Sequence, residues 1–307
     1  MNNIKTHTKL IISLVTGLIL SILLITSKNA LSPYLMHEAS YGMPALIERG
    51  EVKNLFIGSS MFRQGLDISV LDSCLDESDY YILSYNGNTP MMELFELEYL
   101  LESGLSIENL YLDMYAFTLF DDQGLQDEKI YLELPSHKSY ALWLGNSKEQ
   151  SLSSLWRSLC TANNEMIINW PISSKIANSR FRNGGNLNHV AGSNSVILKK
   201  MSIPTIEKNM LDEQASAIDK IVSLCRTNGI NITFIETPKY YLVSNDSNYI
   251  QAMNIYKNYL SSKGIPYFTS SEYSFDNHNS DYYSDLIHLS TNGRIAFTNC
   301  LQTIFTN

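Results

Sequence analysis

The sequence predicts a three-layer α/β/α sandwich with a mainly parallel sheet, preceded by one N-terminal transmembrane helix. Short apolar segments alternate with helical segments, capping and turn residues separate them, and a long uncharged run stands near the amino terminus. Helices of this length between the strands allow parallel crossovers, which cover both faces of the sheet. Ligands of such sheets bind at the carboxyl ends of the strands.

The predicted elements follow one another regularly on both sides of a central interruption. Strands are predicted at 52–57, 80–85, 109–114, 231–236 and 266–269. Helices are predicted at 67–75, 89–102, 210–227, 247–263 and 292–305. Asp67 is a typical helix cap, and Pro90 stands in a first helical turn, where its missing N–H costs nothing. The stretch 120–202 breaks the alternation, which predicts an insertion or lid.

The amino terminus is predicted to anchor the protein in a membrane. Lys5 and Lys9 precede an uncharged run at 10–26 that is rich in Leu and Ile and close to the lower length limit of a spanning helix. Cleavage after Ala30 would place Lys28 where signal peptidase prefers a small residue, so an uncleaved anchor is favoured over a signal peptide. A buried core helix is the weaker alternative, because the run is apolar all round. The leading lysines orient the amino terminus toward the cytoplasm.

These features divide the chain into a tip and anchor at 1–30, a stalk or first short helix at 31–50, and a globular domain at 51–307. The predicted location is the bacterial cell membrane, with a single pass and the C-terminal domain outside the cytoplasm. With 44% hydrophobic and 17% charged residues, the chain can bury a large core. Its formal charge of -9 argues against nucleic acid as a partner.

The four cysteines show no CxxC pair and no adjacent histidines at metal-ligand spacing. We interpret them as core thiols, with one or two disulfides as the alternative outside the cytosol. No metal and no cofactor is predicted.

Two segments far apart in the chain supply the residues that nucleophilic acyl transfer requires. Ser60 follows an apolar strand and Gly58, which places its hydroxyl at the carboxyl edge of the sheet. Asp285 and His288 stand just ahead of the last predicted helix, where the carboxylate can orient the imidazole and the imidazole can take the serine proton. Each motif alone has a simpler interpretation, namely a turn with capping hydroxyls and a helix cap beside a surface histidine.

Together, the two motifs resemble the SGNH (GDSL-type) hydrolases, in the membrane-anchored cell-envelope branch whose first block reads Gly-Ser-Ser. The resemblance covers about residues 50–118 and 210–305. Its most specific element is Asp-Leu-Ile-His-Leu-Ser-Thr-Asn-Gly at 285–293. It implies an SGNH, flavodoxin-like fold and an ester-handling serine enzyme that uses no cofactor.

The resemblance also implies roles for individual residues. Ser60 corresponds to the nucleophile, and Asp285 and His288 complete its triad. Ser59 replaces the aspartate that usually precedes the nucleophile. Gly87 falls where the second block supplies a backbone N–H to the oxyanion hole, which the Ser60 region also lines.

One departure from the family pattern affects the oxyanion hole. The third block normally offers an asparagine after its strand, but the corresponding residue here is Asp113, and a carboxylate would repel an oxyanion. Asn88 or the Tyr115 hydroxyl are the candidates to replace that donor. Arg63 is a candidate for holding an anionic group of the substrate, with an exposed loop arginine as the alternative.

Two classes of function are compatible with these observations. The first is a serine esterase or O-acyltransferase that acts on ester groups of a cell-surface glycan or polymer, since relatives of this branch modify exopolysaccharide or teichoic acid. A membrane-bound acyltransferase is then a possible partner that supplies acyl groups. The second is a catalytically weak or inactive binding or assembly module that keeps the fold, which the missing third-block asparagine favours.

Overall fold

The structure is a computed structural model, and it describes most of the predicted globular domain. The described residues are 9, 11–17, 19, 20, 23, 42–120, 181–204, 206 and 210–305. No helix among these residues is long and apolar enough to cross a membrane. Part of the predicted anchor run at 10–26 and most of the predicted insertion at 120–202 lie outside the described residues. The described residues from 42 onward belong to one compact unit, Ser40–Asp127 with Lys175–Asn307.

The strands confirm the predicted parallel α/β sheet. They are β1 (Glu51–Gly58), β2 (Tyr80–Ser84), β3 (Ser106–Asp113), β4 (Phe181–Arg182), β5 (Gly185–Asn186), β6 (Asn231–Ile235) and β7 (Tyr267–Phe268). Five of them form a parallel sheet in the order β2-β1-β3-β6-β7, and β4 pairs with β5 in a short antiparallel ribbon.

The helices occupy the segments between these strands. They are α1 (Met43–Arg49), α2 (Ser60–Gly65), α3 (Ile68–Cys74), α4 (Pro90–Glu102), α5 (Ala116–Phe120), α6 (Ser195–Leu198), α7 (Asp212–Asn228), α8 (Tyr241–Ser244), α9 (Ser247–Ser262) and α10 (Thr291–Phe305). Helix α1 occupies part of the segment interpreted as a stalk or first short helix. Because Met43 and Leu46 are fully buried, α1 packs as part of the domain.

The strand order determines which helices share a layer. The chain moves from β1 to β2 in one direction and from β2 to β3 in the other, so right-handed crossovers place the connecting helices on opposite faces. Accordingly, α10 packs with α2 and α3, whereas α7 packs with α4. The direction reverses between β1 and β3, and this switch point is where open α/β sheets bind ligands.

Helix α10 is held to the sheet by aromatic packing. The Phe56 and Tyr111 rings of β1 and β3 stack with centroids 4.8 Å apart. Phe305 meets each of them edge-on at 5.4 Å. Since α10 directly follows the segment that carries Asp285 and His288, this packing fixes one end of that segment relative to β1.

A buried ion pair makes a second connection between the start and the end of the domain. Asp67 caps α3 by accepting hydrogen bonds from the Ser69 and Val70 backbone N–H groups. Its other oxygen accepts from Arg294 Nε at 3.2 Å, with both side chains less than a tenth exposed. The Asp67 backbone N–H also donates to Thr298 Oγ1 at 2.8 Å. The segment after the nucleophile is therefore joined to α10.

The segment that carries Asp285 and His288 is covered by residues 188–193. The Thr291 N–H donates to the Val190 carbonyl at 2.9 Å. A side chain at Gly192 would overlap the Asp281 backbone oxygen, so this close approach requires glycine.

The cysteines agree with the interpretation as thiols where the structure describes them. Cys74, Cys225 and Cys300 are free, and Cys225 is buried. Cys160 lies outside the described residues.

Candidate active site

The nucleophile candidate stands at the turn between β1 and α2. β1 ends at Gly58, Ser59 is the N-cap of α2, and Ser60 is its first helical residue. The Ser59 hydroxyl accepts a hydrogen bond from the Met61 N–H at 3.2 Å, which fixes the first turn. Ser60 is half-buried at the carboxyl edge of the sheet, as the sequence predicts.

The Asp285 carboxylate organises the loop ahead of α10. Its Oδ1 accepts from the Ile287 and His288 backbone N–H groups, each at 2.8 Å. Its Oδ2 lies 2.7 Å from His288 Nδ1. Burial pushes the Asp285 pKa upward, but the hydrogen bonds and charge of His288 and the two backbone donors bring that pKa below its ordinary value. Asp285 is therefore ionised at neutral pH.

The structure brings the three predicted residues into one hydrogen-bonded chain. Ser60 Oγ lies 2.8 Å from His288 Nε2, although 228 positions separate the two residues. Because the ionised Asp285 accepts a hydrogen bond from Nδ1–H, Nε2 is the ring nitrogen that can accept from the Ser60 hydroxyl. This is the arrangement in which an imidazole can act as the base for a serine nucleophile.

The loop after β2 is attached to the nucleophile turn. The Tyr85 N–H donates to the Gly58 carbonyl at 3.0 Å, which holds the loop after β2 against the nucleophile turn. Gly87 in that loop has a φ of 66°, a conformation that favours glycine. Within the described part of the chain, neither the Gly87 nor the Ser60 N–H donates to a protein acceptor. Both remain available to a ligand.

Asn88 does not point toward this site, which corrects the expectation that it lines an oxyanion hole. Its side chain is fully buried, and Nδ2 lies 3.3 Å from the Gly58 carbonyl and 3.2 Å from Glu96 Oε2. Its backbone N–H donates to the Tyr85 carbonyl at 3.2 Å. All three N–H hydrogens of Asn88 are thus engaged inside the protein, a result of side-chain packing that residue order alone does not determine.

Arg63 and Tyr115 lie around the same sheet edge. The Arg63 guanidinium is half-buried, and its Nη2 donates to the Ser84 carbonyl at the end of β2. The Tyr115 ring lies 5.0 Å from Phe117 and beneath the amine of Lys239, whose Nζ is 5.4 Å from the ring centroid. Both residues therefore have contacts within the protein at the border of the site.

Lys239 is a buried charge near the site that sequence reasoning missed. It is 1% exposed, and its Nζ donates to the Thr237 carbonyl at 2.6 Å. Burial lowers the pKa of this amine to about 8, against the opposing charges of Glu236, Asp113 and Asp285. The sequence feature that could have identified Lys239 is its position just after β6, because the carboxyl ends of parallel strands form the ligand-binding edge of the sheet.

The lowered pKa of Lys239 predicts how stability depends on pH. Below about pH 8 the amine is charged in both the folded and unfolded chain, so the full cost of burying it is present. Between about 8 and its ordinary pKa of 10.5, the unfolded chain binds more protons, and the free energy of unfolding rises with pH. Urea unfolding across this range should therefore show wild type gaining stability relative to Lys239→Met. The exposed Lys220→Met variant is the matched control, and parallel curves for wild type and Lys239→Met would contradict the prediction.

Comparison with solved structures finds distant neighbours of this chain, two of which are described next. No protein-family model and no curated protein matches the chain. A "putative acylhydrolase" from Bacteroides fragilis is similar at 13% identity and a TM-score of 0.41, over 82% of this chain and 85% of that chain. A GDSL-like lipase from Bacteroides thetaiotaomicron is similar at 9% identity and a TM-score of 0.39, over 91% of this chain and 97% of that chain. Because both TM-scores are below 0.5, the geometry of the site is the basis for inferring function.

Proposed function

We propose that the protein is a serine esterase or O-acyltransferase of the SGNH type. The observation that carries this proposal is the continuous chain of hydrogen bonds from Ser60 Oγ through His288 to Asp285, with distances of 2.8 and 2.7 Å. These hydrogen-bonded residues lie at the carboxyl edge of a parallel sheet, beside the switch point where ligands bind.

In the proposed first step, Ser60 Oγ attacks the carbonyl carbon of an ester. His288 Nε2 takes the hydroxyl proton and then gives it to the alkoxide leaving group, so that an alcohol departs and an acyl-enzyme remains. Asp285 keeps the Nδ1–H tautomer and stabilises the imidazolium. Water or an acceptor hydroxyl then attacks the acyl carbon, with His288 again moving the proton, and Ser60 is regenerated.

We assign the oxyanion hole to the backbone N–H groups of Ser60 and Gly87. Such donors stabilise charge that develops only in the transition state, and loss of one commonly costs about 3–4 kcal/mol. Tyr115 and Arg63 are proposed to border the substrate, where the Tyr115 hydroxyl is a further candidate donor.

The proposed substrate is an ester group on a cell-surface glycan or polymer. The uncharged run at 10–26, with Lys5 and Lys9 ahead of it, supports a single-pass anchor in the bacterial cell membrane and a domain outside the cytoplasm. Whether the acyl group passes to water or to a sugar hydroxyl depends on which of them reaches the acyl-enzyme. A membrane-bound acyltransferase is the proposed source of acyl groups if transfer occurs.

Covalent labelling tests the proposed nucleophile directly. A fluorophosphonate probe should attach to Ser60 Oγ with loss of fluoride, and peptide mass spectrometry should locate the adduct on that residue. Ser60→Ala should abolish labelling, because the attacking oxygen is removed. Ser223→Ala, at an exposed serine of helix α7, should leave the adduct on Ser60. Labelling that persists in folded Ser60→Ala would overturn the assignment.

An inactive binding or assembly module is the alternative function. It is favoured by the position of Asn88 and Asp113, neither of which offers a side-chain donor to an oxyanion. A module of this kind predicts no labelling of well-folded wild-type protein and a Ser60→Ala strain with unchanged envelope polysaccharide.

A further inference from the structure

The side chain of Asp113 lies directly beneath the nucleophile turn. Its Oδ2 accepts from the Ser59 backbone N–H at 2.7 Å and from the Ser59 hydroxyl at 2.5 Å. A Cβ at Gly58 would come within 2.7 Å of Asp113 Cγ, so the strand end has room for this carboxylate only because residue 58 is glycine. One carboxylate oxygen thus holds the residue immediately before the nucleophile.

Ser59 passes this constraint to the nucleophile. Its hydroxyl donates to Asp113 and accepts from the Met61 N–H at 3.2 Å. Ser60 lies between these two anchored residues, so its backbone N–H and its side chain are oriented by contacts on both sides. A loss of the carboxylate would free the Ser59 hydroxyl to rotate away from Met61.

Asp113 is buried among ionisable side chains. The residue is 4% exposed. Burial raises the pKa of Glu93 well above its ordinary value, and the protonated Glu93 can donate a hydrogen bond to Asp113. Burial also raises the Asp113 pKa, which the Ser59 donors, Glu93 and the charge of Lys239 oppose. Glu96, the remaining acid of this cluster, accepts from Asn88.

We propose that Asp113 is a positioning residue that orients the nucleophile turn through Ser59, so that the oxyanion hole consists of backbone donors. In the family that the sequence resembles, an aspartate precedes the nucleophile; here Ser59 stands at that position, and the carboxylate that contacts it comes from the last residue of β3. This inference rests on the proposed function of Ser60.

Moving the carboxylate from position 113 to position 59 tests the proposal. Asp113→Ala, which removes the acceptor of both Ser59 hydrogen bonds, should lower kcat for p-nitrophenyl acetate about 100-fold, because a displaced nucleophile loses its attack geometry, while KM stays within about twofold. Ser59→Asp should be at least as slow, since it sets a second carboxylate against Asp113. The Ser59→Asp, Asp113→Asn double variant restores one carboxylate across the same contact. It should label with fluorophosphonate at least about tenfold faster than Ser59→Asp.

A second buried carboxylate provides the matched control. Glu236 is 4% exposed at the same sheet edge but binds Tyr249 and Ser270 instead of the turn. Glu236→Gln combined with Ser59→Asp should therefore show no recovery.

The outcomes separate this inference from the proposed function. The inference is overturned if folded Asp113→Ala keeps the wild-type kcat and labelling rate, or if the double variant is no faster than Ser59→Asp. If Asp113→Ala does not fold, the comparison of Ser59→Asp with the double variant decides. If wild type is labelled and the variants label at the same rate, the positioning role is wrong but the nucleophile assignment stands. If folded wild type is not labelled, the nucleophile assignment is wrong as well.

Discussion

Replacing His288 with alanine is expected to lower kcat/KM for ester cleavage by a factor on the order of 10⁴–10⁶. The imidazole is the single group within hydrogen-bond distance of Ser60 Oγ among the described residues, so its removal leaves the hydroxyl without a base. Initial rates with p-nitrophenyl acetate, together with fluorophosphonate labelling of the full chain, measure the loss.

A second histidine controls for nonspecific effects of the substitution. His189 is exposed on the segment that covers the Asp285–His288 loop, and His189→Ala should retain wild-type rates. Added imidazole should partly restore His288→Ala, since a small base can enter the space that the side chain occupied. A folded His288→Ala variant with unchanged turnover would show that Ser60 is not activated by this residue.

Much of the fold is predictable because the apolar segments of the sequence are the segments that the folded protein buries. Strand β1 is predicted at 52–57 and observed at Glu51–Gly58, since it is apolar and lies inside the sheet, between β2 and β3. Strand β3 begins earlier than predicted, at Ser106 rather than 109. Its first residues alternate between exposed and buried, so the continuous apolar pattern used to recognise it starts too late.

The site is predictable to the extent that it follows from topology. Ser60 ends a parallel strand, and Asp285 and His288 share one loop, so the sheet edge and the short spacing specify most of their placement. The contact between the two segments depends on α10 packing onto β1 and β3, as the Phe305 contacts show. Residue order makes that packing plausible without determining its distances.

The orientations of buried polar side chains were not predictable. Asn88 stands in the expected loop, but its amide turns toward the Gly58 carbonyl and Glu96. Asp113 turns toward Ser59, 54 positions away. Lys239 lies among acids from three separate segments. Each orientation is set by which buried partners satisfy a polar group, and those partners are assembled only in the folded chain.

Replacing Asp285 with asparagine is expected to lower kcat/KM about 10⁴-fold while the domain remains folded. The asparagine oxygen can still accept from the Ile287 and His288 backbone N–H groups, so the loop keeps its shape. Its amide nitrogen, however, would donate to Nδ1 and shift the imidazole proton to Nε2. The nitrogen that faces Ser60 would then be a donor, unable to accept the hydroxyl proton.

Steady-state rates and the urea unfolding midpoint together test this account of Asp285. Asp281→Asn is the matched control, because Asp281 lies in the same segment but is exposed and binds Asn292. That variant should keep wild-type rates. If the tautomer argument is correct, Asp285→Asn loses kcat with an unfolding midpoint close to that of Asp281→Asn. Equal rates for the two variants would mean that His288 acts without its carboxylate, while an unfolded Asp285→Asn would assign the residue to the loop's structure instead.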